Sequence, residues 1–200
     1  GFYYLLAADT GCGPAAPGTD SRGWFRPPGP RCVEARMVRT LRQGDEASSD
    51  PWSLEAHGGP GTEVELSVVL ERTTAPGALF AVSFDLVFDP QQMSPAGPPV
   101  SGDRFVEAGI PVRVDFDADH AAEGRVTDTV ARVGPSGSDE GLEGGVILRT
   151  TWKVPGGDSV GPVWLSNVRA MDGNYQELPV PSPRSSYTLE VSALEGDTLP

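Results

Sequence analysis

Long apolar runs are missing from this chain: no stretch of about 18 apolar residues occurs, so nothing in it reads as a membrane-spanning helix. Basic residues are scarce, 15 Lys and Arg against 28 Asp and Glu, and the formal net charge of −13 repels phosphate backbones and anionic membrane surfaces. Nucleic acid is thereby set aside as a partner. His57 and His120 are the only two histidines, and neither lies in a nucleophile motif. The chain is read as non-catalytic. Helical periodicity is nearly absent too, the one short exception being a turn around Asp103-Arg104-Phe105-Val106-Glu107. An initiator Met and a signal peptide are also lacking, and the opening on Gly1-Phe2-Tyr3-Tyr4-Leu5-Leu6-Ala7 reads as a piece excised from a larger protein.

Glycine and proline are abundant instead. The 25 Gly and 20 Pro exceed ordinary usage of about 7% and 5% and fall between short apolar runs, as in many-stranded β proteins. With 38% hydrophobic residues, 200 residues suffice for one sizeable core, or for one domain and a fragment. The acidic surface suits a secreted protein. Cys12 and Cys32 flank a Gly/Pro-rich stretch, and in an extracellular chain they are expected to pair, closing a loop worth roughly 3 kcal/mol on the chain-entropy model. Reactive or free thiols are the alternative, and a metal site would need more ligands than two.

Four segments are expected. Residues 1–33 read as the end of a preceding β module carrying the Cys12–Cys32 loop, since Tyr3-Tyr4-Leu5-Leu6-Ala7-Ala8-Asp9 followed by Gly11 and Gly13 resembles the penultimate strand of a fibronectin type III module. Residues 34–51 read as a linker, although Glu34 to Leu41 has some strand character. Residues 52–193 form the main domain, and 194–200 a tail.

Within the main domain, period-two alternation marks the strands. Val64, Leu66, Val68 and Leu70 share one face of a strand, while Phe80, Val82, Phe84, Leu86 and Phe88 point inward from the next, leaving Ala81, Ser83, Asp85 and Val87 outward. Further strands are expected over Val112 to Phe116, Arg125 to Val133, Val146 to Val154, Val160 to Met171 and Ser186 to Val191. Each hides only one side, so two antiparallel sheets packed face to face are the economical all-β solution.

Gly61-Thr62-Glu63-Val64-Glu65-Leu66, and then Phe80 to Phe88 ending in Asp89-Pro90, resemble the opening of a cohesin domain. Gly144-Gly145-Val146-Ile147-Leu148-Arg149-Thr150-Thr151-Trp152-Lys153-Val154, and Val163 to Val168 followed by Asp172-Gly173-Asn174, resemble later strands of that family in collinear order. The resemblance implies a nine-stranded jelly-roll β-sandwich that docks a small calcium-loaded partner, the dockerin, through one sheet face, the calcium being the partner's. It also implies that Ala81, Ser83 and Asp85 face that partner, although Ala81 stands where many cohesins place a polar or acidic group. The setting expected from the resemblance is the extracellular medium or cell surface, within a larger secreted bacterial protein that serves polysaccharide breakdown or another surface assembly. A carbohydrate-binding sandwich, or a structural spacer or adhesin stalk, is the alternative.

Other candidate chemistry is sparser. Asp115, Asp117 and Asp119 alternate as calcium ligands do, but the helix-loop-helix calcium loop also needs Gly and Glu where this chain has His120 and Val126. A strand end with three solvent-facing acids is the other reading, and no cofactor is required. Asp139, Glu140 and Glu143 cluster in a Gly/Ser-rich loop, too pliant to hold a glycosidase carboxylate pair at fixed separation. His57 is expected in the glycine-rich turn at 57–61. Trp152 and Trp164 are expected in the core, with Trp24 and Trp52 outside the domain or at its edge. Asp85→Lys is expected to weaken partner binding without unfolding, and Phe84→Ala to destabilise the fold.

Overall fold

The computed structural model describes residues 33–41, 50–59, 61–72, 79–103, 111–133, 143–154 and 159–193. Cys12, Cys32, Trp24, the Tyr3 to Asp9 run, Asp139, Glu140, the turn over residues 104–107 and the 194–200 tail lie outside them.

Twelve strands follow one another along the described chain: β1 (Val33–Leu41), β2 (Trp52–Gly58), β3 (Glu63–Arg72), β4 (Ala81–Val87), β5 (Ser94–Pro95), β6 (Val100–Ser101), β7 (Val112–Asp117), β8 (Arg125–Arg132), β9 (Glu143–Lys153), β10 (Ser159–Met171), β11 (Glu177–Leu178) and β12 (Ser185–Ala193). Leaving out the two-residue strands β5, β6 and β11, nine remain. One sheet runs β1-β12-β10-β4-β8-β7 with β11 beside β10, and the other runs β2-β3-β9-β5 with β6 beside β9. The pairings between the main strands are antiparallel, and the molecule is a jelly-roll sandwich.

The core lies between the sheets and follows the alternation in the sequence. Val64, Leu66, Val68 and Leu70 of β3 are sealed from solvent, as are Val82, Phe84 and Leu86 of β4, and Trp152 closes one end edge-on to Phe88 with ring centroids 4.7 Å apart. The Phe88-Asp89-Pro90 ending of β4 is a turn cap: Asp89 accepts hydrogen bonds from the Gln91 N–H at 2.9 Å and the Gln92 side-chain amide at 2.8 Å. Directly beside it, Gly124 adopts a left-handed φ of 82°, where an added Cβ would lie 2.2 Å from the Phe88 carbonyl oxygen.

Two expectations about the start of the domain are corrected. Val33 to Leu41, of which residues 34–41 are expected within a linker and Val33 at the end of a preceding module, is a nine-residue strand paired along its whole length with β12, from Val33 opposite Ala193 to Leu41 opposite Ser185. Its inner side chains Val33, Ala35 and Met37 pack against the core, and its outer ones, Glu34, Arg36 and Val38, take the solvent side. Trp52, expected at the domain edge, is buried, its indole N–H donating to the Pro181 carbonyl at 3.1 Å while its own carbonyl accepts the Tyr187 hydroxyl at 3.2 Å.

Asp50 ties these pieces together. Its buried carboxylate accepts from the backbone N–H groups of Trp52, Arg184 and Ser185 and from the Ser185 hydroxyl, at 2.9–3.1 Å, with the Arg39 guanidinium 3.5 Å away. A buried charge with this many donors is held in place, because hydrogen bonds replace its lost hydration.

Candidate partner-binding face

Part of the outward surface of the larger sheet is built by four neighbouring strands, β10, β4, β8 and β7, whose register aligns side chains in rows. The first row reads Trp164, Val87, Arg125. The second reads Ser166, Asp85, Thr127, Asp117, the third Arg169, Ser83, Thr129, Asp115, and the fourth Met171, Ala81, Ala131, Arg113. Ala81, Ser83 and Asp85 thus stand together on the outward face of β4, and the middle rows are composed of small and polar groups.

The centre of the face is a hydrogen-bonded network around Asp85. One carboxylate oxygen accepts the Thr127 hydroxyl and the other the Asn167 side-chain amide, both at 2.6 Å, while Thr129 donates to the Ser83 hydroxyl at 3.0 Å. Asn167 reaches Asp85 because β10 carries a bulge there: the pairing with β4 shifts between Ser166 and Arg169, and Asn167 takes a left-handed φ of 51°. Asparagine tolerates that conformation better than other non-glycine residues. The outcome is a carboxylate only 6% exposed on a face that otherwise points to water. That changes the expectation for Asp85→Lys, since Asp85 joins three strands and its replacement removes the acceptor of two hydrogen bonds.

Beneath the face lies a second carboxylate. Asp128 points inward from β8 between Val126 and Val130, opposite Phe84 of β4 and Phe116 of β7, and is 1% exposed. Its Oδ1 has no hydrogen-bond partner among the described residues, and burial pushes its carboxyl up to about 7 from an ordinary 3.8. Tyr187 is moved in the same sense, burial raising its phenol above the usual value.

The acidic run on β7 does not converge. Asp115 accepts from the Arg113 guanidinium at 2.8 Å, Asp117 accepts the backbone N–H of Asp119 at 2.9 Å, and Asp119 lies in the following turn. Among the described residues no group of three or more His, Cys, Asp or Glu is gathered so as to hold a metal ion. The alternation that suggested ligands is a strand edge with alternate acids facing solvent. His120 is near Glu123 at 3.2 Å, and His57 is on strand β2 rather than in the glycine-rich turn.

Trp164 is the other correction. The sequence places it in an apolar run and in the core; the structure turns Val163 and Leu165 inward and leaves Trp164 half-buried on the outward face. Thr127, Asn167, Arg125 and Arg169 are the face residues that sequence reasoning missed. The one advance signal is Ser166-Asn167, two polar residues in succession that break the alternation of β10.

With this geometry in hand, likeness to solved structures is informative about fold. A type II cohesin in an X-dockerin complex of Acetivibrio cellulolyticus, carrying an interface mutation, aligns over 72% of this chain and 90% of its own, with 10% identity and a TM-score of 0.50. The second type II cohesin module of an adaptor scaffoldin from the same organism aligns over 84% and 92%, with 11% identity and a TM-score of 0.52. The chain has the cohesin fold. No family model matches the sequence, and no curated protein matches it.

Proposed function

We propose that this chain is a non-catalytic docking module that binds a dockerin-type protein through the outward face of β10, β4, β8 and β7. The observation that carries the reading is the composition of that face: rows of small and hydroxyl side chains around a fixed Asp85, with Trp164, Met171 and arginines at the margins. Interface centres of this kind need rigid, fully satisfied polar groups, because an unpaired one would be desolvated on docking at a cost of about 1–3 kcal/mol. Calcium, in this reading, belongs to the partner. The setting is extracellular, as part of a larger surface or secreted assembly, and polysaccharide breakdown is the expected context.

The test is capture of purified dockerin modules by the immobilised chain, with and without EDTA, beside a cellulose and chitin pelleting assay. EDTA-sensitive capture supports the reading. Pelleting with glycan and no capture would replace it with carbohydrate binding, and silence in both assays with a spacer role.

A further inference from the structure

The charges on the docking face are not equally available. Of its aspartates, Asp85 is buried and held by Thr127 and Asn167, and Asp115 pairs with Arg113, while Asp117 at the far edge on β7 is exposed and accepts the Asp119 backbone N–H. Of its arginines, Arg113 is matched to Asp115, whereas Arg125 and Arg169 have no ion-pair or hydrogen-bond partner among the described residues. These two stand on opposite sides of β4 and two rows apart, with the Asp85 network between them. At about 4.8 Å between strands and about 3.3 Å per residue along them, their Cα atoms are roughly 16 Å apart.

Resting on the docking reading above, we infer that the partner brings carboxylates to Arg125 and Arg169, so that its contact surface is acidic rather than basic. A guanidinium donates to a carboxylate in a bidentate fork, and arginine, with tryptophan and tyrosine, is among the residue types on which interface energy concentrates. Arg125 shares its row with Trp164, and Arg169 lies one row from Met171. The chain's net charge of −13 opposes an acidic partner at long range. Physiological salt screens that repulsion beyond about 8 Å, which leaves the short-range arginine contacts to decide orientation and selectivity.

The experiment uses a panel of purified, calcium-loaded dockerin modules whose contact surfaces range from acidic to basic, with Kd measured by biolayer interferometry. Acidic members are expected to bind best. Combining Arg125→Glu with Arg169→Glu should weaken them about 100-fold or more, and Arg→Lys at both positions should retain binding to within about tenfold. Ser83→Trp, which obstructs the face whatever the partner's charge, reports on docking itself. Binding confined to basic modules overturns the inference, as does charge reversal that leaves Kd unchanged while Ser83→Trp abolishes it; docking then survives. If no dockerin binds the wild-type chain, the docking reading falls and the inference with it. Should the double glutamate variant fail to fold, Arg125→Gln with Arg169→Gln supplies the same comparison.

Discussion

Asp85 and Asp128 sit on adjacent strands, one directed out of the larger sheet and one into the core, and both are withdrawn from water, yet their circumstances are opposite. Asp85 is 6% exposed and has a donor for each oxygen; Asp128 is 1% exposed, and its Oδ1 has none among the described residues. Desolvation is therefore offset at the outer site and left standing at the inner one, where the carboxyl is pushed up to about 7. The lesson is that burial alone does not set a carboxylate's behaviour. The bulge that delivers Asn167 and the register that delivers Thr127 make the outer site a fixed, charged part of a surface, while the inner site has only apolar strand neighbours, Phe84 and Phe116.

The comparison can be broken in four places. Phe84, opposite Asp128 and filling the core, should be the most costly to truncate: Phe84→Ala is expected to destabilise by about 3–5 kcal/mol in urea unfolding. An unmoved midpoint would mean that the inner and outer faces of β4 are reversed.

Next comes the pH dependence at Asp128. Its folded value of about 7 lies above the unfolded 3.8, so its contribution to stability is fully present below pH 3.8 and is lost as pH rises through 7. The total loss is on the order of 4 kcal/mol, at about 1.4 kcal/mol per pH unit. Asp128→Asn should accordingly stabilise the protein above pH 7 and leave it nearly unchanged near pH 4. Parallel stability profiles for the two proteins between pH 4 and 8 would refute the unpartnered state of this carboxyl.

At the outer site the expectation has the opposite sign. Asp85→Ala removes the acceptor of two short hydrogen bonds and should destabilise by about 2–3 kcal/mol. Asp85→Lys should cost a similar amount, so lost binding in that variant would report on both folding and contact. Ser83→Ala is the mildest change, below about 1 kcal/mol in chemical denaturation, because a surface hydroxyl pair exchanges readily with water. A loss as large as that of Asp85→Ala would extend the rigid network to the third row.

Much of this was legible in the residues. The alternation of β3 and β4 assigned their inner and outer sides, and the cohesin resemblance named the sandwich. The alternation Val126-x-Asp128-x-Val130 was equally readable and puts Asp128 on the apolar side. Strand β1 was harder, since its justification is a partner strand about 150 residues later, and its charged residues, Glu34 and Arg36 facing outward and Arg39 turned in to Asp50 and Ser185, look like linker polarity. Trp164 was misplaced because Val163-Trp164-Leu165 is apolar throughout and gives alternation no phase; the bulge after Ser166 then resets the phase for Arg169 and Met171. Asp85's partners come from two other strands, Thr127 42 residues away and Asn167 82 residues away, so its confinement could not be read locally.

The pairing of β1 with β12 has a mechanical consequence. Val33 and Ala193 face each other across one end of this antiparallel ladder, while Leu41 and Ser185 face each other at the other end. A pull applied through Val33 and Ala193 loads the first rung and the Val33 N–H bond to the Gly59 carbonyl before the rest, so the ladder opens in succession like a zipper instead of resisting in shear along all nine residue pairs at once. Traction applied there loads β1 and β12 ahead of β4, β8 and β7, which lie further along the sheet.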